Sequence, residues 1–565
     1  MSEQETEHVD VTILGGGITG LTLALQLKRA EPELSIVVLE RLRHPAPEAT
    51  HKVGESSVEV QAHYLRDVLG LTEHLDNDQL RKNGLRMFFP AAGNTDIARR
   101  VEYGQNDEAP LPSYQLDRGR LENHLGERVA ALGVRFEQGA QVSSVDLRED
   151  GSDHTVEFRQ DRTGRRIASR WVVDATGRTG LLKRKLDLAK PVDHRANAVW
   201  FRIEHEIDIH QWSAEPQWRA RVEDWMRRLS TNHLMGHGYW VWLIPLASGS
   251  TSVGIVADAT IHPIEGFNTL DRALEWFRTW EPQCGDTVAD LRDRVQDFRV
   301  MRDYAYGCKQ VYSAHRWALT GEAGVSIDPL YSSGGDLMAI SNGLITDLIT
   351  RDRAGEDIST LAVAHNQVYL VFAEIWLVAY AGLFRIMGNP QAMVAKVIWD
   401  TVIYWAVPGL LAFHDAIRRL AASPSAFLSL QRTWTVHARV QAFLLEWHDV
   451  AEVSASDIFA DPYTLLTWLR PLHEDMAAGL PDPELDARLA SNVAFLEQLA
   501  GQLFSRAIEG LRADGLGEHE QIAAWSADPL VTDLIAAYRQ RDPGNPVDER
   551  WTTLGRFGAH EEVRA

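Results

Sequence analysis

Gly15, Gly17 and Gly20 stand in a G-x-G-x-x-G spacing, and Glu40 follows twenty residues after the last of them. These residue types suit one chemistry, the holding of a dinucleotide. The first glycine permits a tight turn, the second lets the backbone approach a pyrophosphate, and the third lets a helix pack closely on a strand. Phosphates then lie at a helix N-terminus, where free N–H groups and the macrodipole favour negative charge. A carboxylate at Glu40 accepts hydrogen bonds from ribose hydroxyls and disfavours a 2′-phosphate, so FAD or NAD fits and NADP does not.

The elements needed to position these groups are present around them. Val9–Leu14 is an apolar run leading into the glycines, Leu21–Leu27 is a helix-like stretch, and Ser35–Leu39 is a second apolar run ending at Glu40. That is a strand, turn, helix and strand in the order the site needs. Tyr114–Val134 reads as a strand end entering a charged amphipathic helix. Two alternating runs around Val142–Phe158 flank Asp150-Gly151 and read as a hairpin, and Ser169–Asp174 is another buried strand.

Further segments distinguish FAD from NAD. Asp174-Ala175-Thr176-Gly177-Arg178 resembles the D-x-T-G segment of FAD-dependent monooxygenases. Gly321-Glu322-Ala323-Gly324 with Asp328-Pro329 resembles their G-D-A-x-x-x-x-P segment, with Glu322 in place of the usual Asp. Tyr114-Gln115-Leu116-Asp117-Arg118 resembles the segment in which an arginine helps hold FAD. The resemblance implies FAD-binding roles for Gly15, Gly17, Gly20, Glu40, Ser56, Arg118, Asp174, Gly177, Glu322, Asp328 and Pro329. No second G-x-G-x-x-G follows a strand, so reducing equivalents are expected from a separate flavin reductase or from nicotinamide bound transiently.

Trp240-Val241-Trp242-Leu243-Ile244-Pro245 matches W-x-W-x-I-P, a motif of the flavin-dependent halogenases. Alternate residues of a strand share a face, so the two indoles form one wall. By itself a Trp-x-Trp pair is a packed core strand. Within an FAD scaffold the whole motif resembles the halogenase wall that keeps the organic substrate away from the flavin. His51-Lys52-Val53-Gly54-Glu55-Ser56 resembles the family's loop over the flavin. The stretch Arg81-Lys82-Asn83-Gly84-Leu85 resembles the one carrying the catalytic lysine, which makes Lys82 that residue and Lys52 its competitor. A buried ammonium can hydrogen-bond hypohalous acid, polarise it and aim the halogen, or form a haloamine first.

Asp328-Pro329-Leu330-Tyr331-Ser332-Ser333-Gly334-Gly335 resembles the loop that binds chloride through backbone amides. Ser332, Ser333, Gly334 and Gly335 are therefore the halide candidates. Tryptophan halogenases place a glutamate where Tyr331 stands, which points away from free tryptophan. A phenol, pyrrole or other electron-rich ring, free or carrier-tethered, is the expected substrate, with Lys82, Trp240, Trp242 and Tyr331 as the catalytic set.

The expected fold is α/β. An FAD-binding Rossmann-type domain like that of glutathione reductase or the aromatic hydroxylases (1–195, closed by 311–355) carries an inserted β-sheet substrate domain (196–310) and a helical C-terminal domain (356–565). The latter is dense in aromatics, namely Tyr369, Phe372, Trp376, Tyr380, Phe384, Trp399, Tyr404, Trp405 and Phe413, which mark helix faces directed to a core.

With 45% hydrophobic and 24% charged residues the chain has a globular composition. Its net charge of −22 repels phosphate backbones and anionic lipids, so neither nucleic acid nor a membrane is an expected partner. Cys284 and Cys308 are the only cysteines, too few for a disulfide framework, and a cytoplasmic setting fits. Met1–His8 lacks the character of a signal peptide. Val368–Phe384 and Val394–Phe413 are apolar, but Glu374, Lys396, Asp400 and Pro408 interrupt them, which favours buried helices. Scattered histidines, including His233, His237, His414 and His448, lack the spacing of a metal site, so no metal is expected.

The leading expectation is an FAD-dependent halogenase taking reduced FAD, O2 and chloride or bromide. The alternatives are a flavin-dependent aromatic monooxygenase on the same scaffold and a flavin-binding scaffold without turnover.

Overall fold

In the computed structural model, which describes residues 7–48, 52–451 and 458–540, the apolar run at the start of the chain is the strand Glu7–Leu14. It lies between Thr163–Asp174 and Ile36–Glu40, parallel to both, with Leu14 opposite Asp174 and Leu39. Arg135–Gln138 extends the sheet beyond Ile36–Glu40, and Trp317–Leu319 extends it on the other side. A central parallel strand is covered on both faces, which is why Val11, Ile13 and Leu14 are all buried. Gln141–Asp146 and His154–Gln160 form the expected hairpin, and the second of these pairs with the early part of Thr163–Asp174.

The parallel strands end together at Leu14, Glu40, Asp174 and Leu319, and the crevice beyond such ends is where open α/β sheets bind ligands. The helix Ile18–Ala30 starts there, directly after Gly17. Gly20 explains how it packs so tightly: a Cβ at that position would come within 2.0 Å of the Gly15 carbonyl oxygen.

The second sheet is not confined to residues 196–310. Its order is Arg299–Met301, Ala196–Ile203, Thr251–Asp258, Tyr239–Pro245, Thr231–Gly236, Leu85–Phe89, Val101–Tyr103 and Phe459–Ala460. Two strands thus come from the first 195 residues and one from the C-terminal region. The boundaries drawn from sequence miss these because so short a strand is recognised by its partners, and the pairings that join these three to the sheet, Leu85–Phe88 with Thr231–Leu234 and Phe459–Ala460 with Glu102–Tyr103, span more than a hundred residues. Tyr239–Pro245 is buried on both faces: Tyr239, Val241 and Leu243 pack into a cluster with Phe277 and Trp276, while Trp240, Trp242 and Ile244 face the larger core.

The C-terminal region is helical, with Ser359–Tyr380, Pro390–Tyr404, Pro424–Val450 and Asp482–Ala513 as its long members. Ser359–Arg385 and Pro390–Phe413 are long and apolar enough to cross a membrane by length and composition alone. Their most apolar windows are 61% and 94% buried within the fold. Near the end of the second, Pro408 lies in a wide turn, Trp405–Gly409, as expected where a proline interrupts the hydrogen-bond ladder.

Candidate active site

A cavity of about 660 Å³ runs from the ends of the parallel strands to the face of the second sheet. At one end are Gly15, Gly17 and Glu40; Gly177, Arg118, Glu322, Asp328 and Pro329 line its course; Ser332, Gly334, Gly335, Trp240 and Trp242 lie at the other. Glu40 accepts hydrogen bonds from the Gly16 and Leu42 backbone N–H groups at 2.7 and 2.8 Å, which hold its carboxylate at the strand end. Arg118 donates to the Val53 carbonyl and to Glu122. Glu122 also accepts from Lys52, so the loop Val53–Ser56 is tied to the helix that begins at Arg118.

Lys52, the competitor of Lys82, belongs to this cavity: it lines the wall, and its Nζ is 3.8 Å from where a Gly17 Cβ would be. His51 lies outside the described residues. Ser56 lines the cavity and bonds Thr231 through their hydroxyls at 2.9 Å.

Two of the side chains assigned from sequence, and one glycine, stand outside the cavity lining. Asp174 is fully buried and does not line the cavity. Its carboxylate accepts from Thr176 N and Oγ1 (3.0 and 2.6 Å) and from Leu182 N (2.7 Å), which uses it up in shaping the turn. Gly20 likewise stands outside the lining and acts through helix packing. Ser333 is buried outside both cavities, with its hydroxyl 3.2 Å from that of Tyr380. At Asp174 and Ser333 the motif marks a backbone conformation, and the side chain stabilises it without facing a ligand; at Gly20 it is the absence of a side chain that the packing needs.

The two motif tryptophans lie side by side, ring centroids 5.6 Å apart. Gly254 stands opposite Trp242 in the next strand and makes room for the indole, since a Cβ there would be 2.2 Å from the ring. Sequence reasoning missed two neighbours in the lining, Trp200 and His233. Strand alternation with the recognised strand Val199–Ile203 could have flagged Trp200; His233 had no local signal. The indole N–H groups of Trp200 and Trp240 and the His233 Nδ1 are buried without a protein partner. Burial and the nearby Lys82 charge hold the His233 imidazole down to about 3, so it is neutral.

These features fit FAD: a carboxylate at the ribose end, glycines at a helix N-terminus with two cations nearby, and an aromatic end with unpartnered N–H donors. Helix Gly334–Arg353 starts at that aromatic end, where the first N–H groups of a helix lack internal partners. Ser332 precedes it with φ +60°, the left-handed backbone that makes anion-binding nests.

A second cavity, of about 90 Å³, contains Lys82. Lys82 is 3% exposed, and its Nζ donates to the Ser57 carbonyl at 2.7 Å. Burial pulls its ammonium down to about 8, against the opposing pull of Glu59 and Asp336. The two cavities share no lining residue, yet they adjoin. The chain passes from one to the other between Ser56 and Val58, across the carbonyl that holds Lys82, and back between Glu59 and Gln61; in the loop Pro329–Ser332 it does so again on either side of Tyr331. Asp336 is buried nearby, with one oxygen accepting from Gln61 N (2.8 Å) and the other unpartnered; burial pushes it up to about 8.

Tyr331 lines the Lys82 cavity, and its hydroxyl donates to Asp400 at 2.8 Å. Asp400 also accepts from Lys396 and Gln441 (2.8 and 2.7 Å). Of the nine C-terminal aromatics noted above, Trp376, Tyr404 and Trp405 line this cavity.

Residues 8–247 match the FAD binding domain family. The chain is 24% identical over 431 residues to flavin-dependent halogenase chlA of Dictyostelium discoideum, covering 71% of this chain and 70% of the relative. It is 26% identical over 385 residues to the 1H-pyrrole-2-carbonyl-(peptidyl-carrier protein) chlorinase of Pseudomonas fluorescens, covering 63% and 79%. The halogenase PltM, solved with phloroglucinol and FAD, shares the fold at a TM-score of 0.60 and 14% identity, over 86% of this chain and 96% of that one. The fold and site define an FAD-dependent enzyme. The relatives that the chain resembles along most of its length are flavin-dependent halogenases.

Proposed function

We propose that the protein halogenates an electron-rich aromatic molecule, phenol- or pyrrole-like and free or carrier-tethered, with chloride or bromide. In this reading it works in the cytoplasm and receives reduced FAD from a separate reductase. The relatives include halogenases of carrier-bound pyrrole, and the PltM structure holds a phenol, which supports both substrate forms.

FAD, when bound and reduced, would supply with O2 and halide the oxidised halogen, as hypohalous acid. The chain's residues do the rest. Gly15, Gly17, Arg118 and Lys52 would hold the phosphates, and Glu40 a ribose. The backbone at Gly334 and Gly335 offers N–H groups to a halide, while the Ser332 N–H donates to the Pro329 carbonyl and shapes the turn before them; Trp240 and Trp242 exclude bulky organic molecules from the aromatic end. Lys82 hydrogen-bonds the oxidant and directs its halogen toward a ring held among Trp376, Tyr404 and Trp405, while Tyr331, pinned by Asp400, shapes that cavity opposite the halide loop.

The observation carrying this reading is that the buried lysine lines a separate aromatic cavity that adjoins the cofactor cavity and shares no lining residue with it. A hydroxylase needs its substrate in the cofactor cavity itself. The test is turnover of a panel of phenols and pyrroles with reductase, FAD and halide. The wild type is expected to give products with a halogen isotope pattern. Lys82→Ala should still oxidise reduced FAD while halogenation falls by more than about 1000-fold, of the size seen when a preorganised electrostatic group is removed. A halide-independent gain of one oxygen in the product would instead establish a monooxygenase.

A further inference from the structure

Two carboxylates line the Lys82 cavity, and their surroundings differ. Asp400 is saturated by Tyr331, Lys396 and Gln441. The Glu59 carboxylate lies against an imidazole: His473 Nε2 is 3.2 Å from its Oε1, and the other ring nitrogen of His473 is 2.7 Å from the Tyr463 hydroxyl. Trp405 stacks flat on His473 at 3.8 Å and fixes the ring plane. The Glu59 side chain keeps 13% of its surface accessible, whereas His473 keeps 1%.

From this arrangement we infer that Glu59, positioned by His473, is the base that takes the proton from the hydroxyl or ring N–H of the aromatic substrate as the halogen is transferred. The inference rests on the halogenase reading above and narrows its substrate class to arenes bearing an ionisable O–H or N–H. At about 90 Å³ the cavity is smaller than the roughly 150 Å³ that takes up benzene, so it accepts no more than a single ring and only as its lining side chains shift.

The step balances. The substrate's O–H or N–H proton passes to the Glu59 carboxylate, which raises the electron density of the ring. A ring carbon's electron pair takes the halogen from hypohalous acid as the O–X bond breaks. The hydroxide that leaves takes a proton from the Lys82 ammonium and becomes water. The ring C–H proton then passes to the neutral Lys82 amine, and Glu59 returns its proton to the substrate heteroatom. The net change is Ar–H plus HOX giving Ar–X plus water, with carbon oxidised and the halogen reduced.

Glu59 is suited to this. Burial would raise its carboxyl, but His473 and the Lys82 ammonium hold it below the ordinary carboxylate range, so it is ionised and able to accept. The ionisable groups facing it are His473 and Tyr463 from the C-terminal segment, Tyr404 from Pro390–Tyr404, Lys82, and Asp336 at the start of Gly334–Arg353.

The test compares full-length wild type and Glu59→Gln, with reductase, FAD and halide, on a phenol and its O-methyl ether, with taurine trapping hypohalous acid in parallel. The variant is expected to lose about 100-fold in phenol halogenation at pH 7 and to keep taurine trapping. The phenol deficit should shrink as pH passes the phenol's own pKa, because phenolate no longer needs the base. The methyl ether should react equally slowly with both enzymes. Phenol halogenation at the wild-type rate, or a loss that stays constant with pH and extends to the ether, would overturn the inference. If Glu59→Gln does not fold, Glu59→Asp, which keeps the acid but withdraws it by one methylene, should show a smaller loss with the wild-type pH profile; an unchanged rate there counts against the role. Wild type that traps no hypohalous acid and halogenates nothing would sink the halogenase reading itself, whatever Glu59 does.

Discussion

The two cavities are built by opposite strategies. The cofactor cavity is assembled from short contiguous turns at strand ends, each carrying its own instruction: Gly15–Gly20, Ala175–Thr179, Gly321–Glu322 and Asp328–Gly335. The Lys82 cavity takes single side chains from many segments, among them Glu59, Lys82, Tyr103, Tyr331, Trp376, Asp400, Tyr463 and His473. One is a backbone-defined cradle for phosphate and sugar, the other an aromatic box with one amine and one accessible carboxylate. A common cofactor can be held by turns that tolerate drift elsewhere, whereas the pocket for a particular substrate is left to side chains that can be exchanged singly.

That contrast can be broken or sharpened experimentally. Outside position 82, the largest effect should come from Lys52→Met. Losing a cation beside the glycine loop costs about 1.5–3 kcal/mol, so the FAD dissociation constant should rise on the order of 10- to 100-fold. With FAD in excess the halogenated product and its regiochemistry should be unchanged. Flavin fluorescence titration checks the first point and product analysis the second. Altered regiochemistry would show that the two cavities are not functionally separate.

Lys82→Met should stabilise the fold while abolishing halogenation. The ammonium sits at about 8 when folded and near 10.5 when unfolded, so the unfolded chain binds more protons between those values. The cost of burying the charge is therefore full below pH 8 and fades as pH rises toward 10.5. At pH 7 the gain is expected at about 1–3 kcal/mol, reduced by the hydrogen bond lost at the Ser57 carbonyl. Denaturant titrations at pH 7 and pH 10 should show the advantage shrinking between them; an advantage independent of pH would assign it to packing.

The smallest effect should follow Gly254→Ala. The new methyl must displace the Trp242 ring, at a cost of about 1–3 kcal/mol in stability, and it pushes the indole toward the FAD cavity. Flavin absorbance and thermal unfolding read the change, and Lys82-dependent halogenation should persist at saturating FAD.

Some of this protein was legible from residue order alone. The glycine spacing, Glu40, and the W-x-W-x-I-P strand could be read because turn geometry and strand alternation are set by neighbours within a few residues. Even so, the side chains of Asp174 and Ser333 serve conformation, although their motifs suggested ligand contact. Lys82 could be picked out by resemblance, yet its burial, the Ser57 carbonyl it meets and its place in a second cavity could not. Glu59, His473 and Tyr463 carried no signal, since Tyr463 and His473 stand 404 and 414 residues beyond Glu59 in the chain.

By itself the sequence determined a dinucleotide cradle, its acidic ribose partner and a tryptophan-bearing strand, since those depend on local backbone preference and a period of two. Tertiary structure alone decided that the lysine lies behind the cofactor cavity and faces a histidine-held glutamate beneath C-terminal aromatic rings. Such a constellation exists only where distant segments are packed together and water is excluded, and its altered proton affinities arise from that burial.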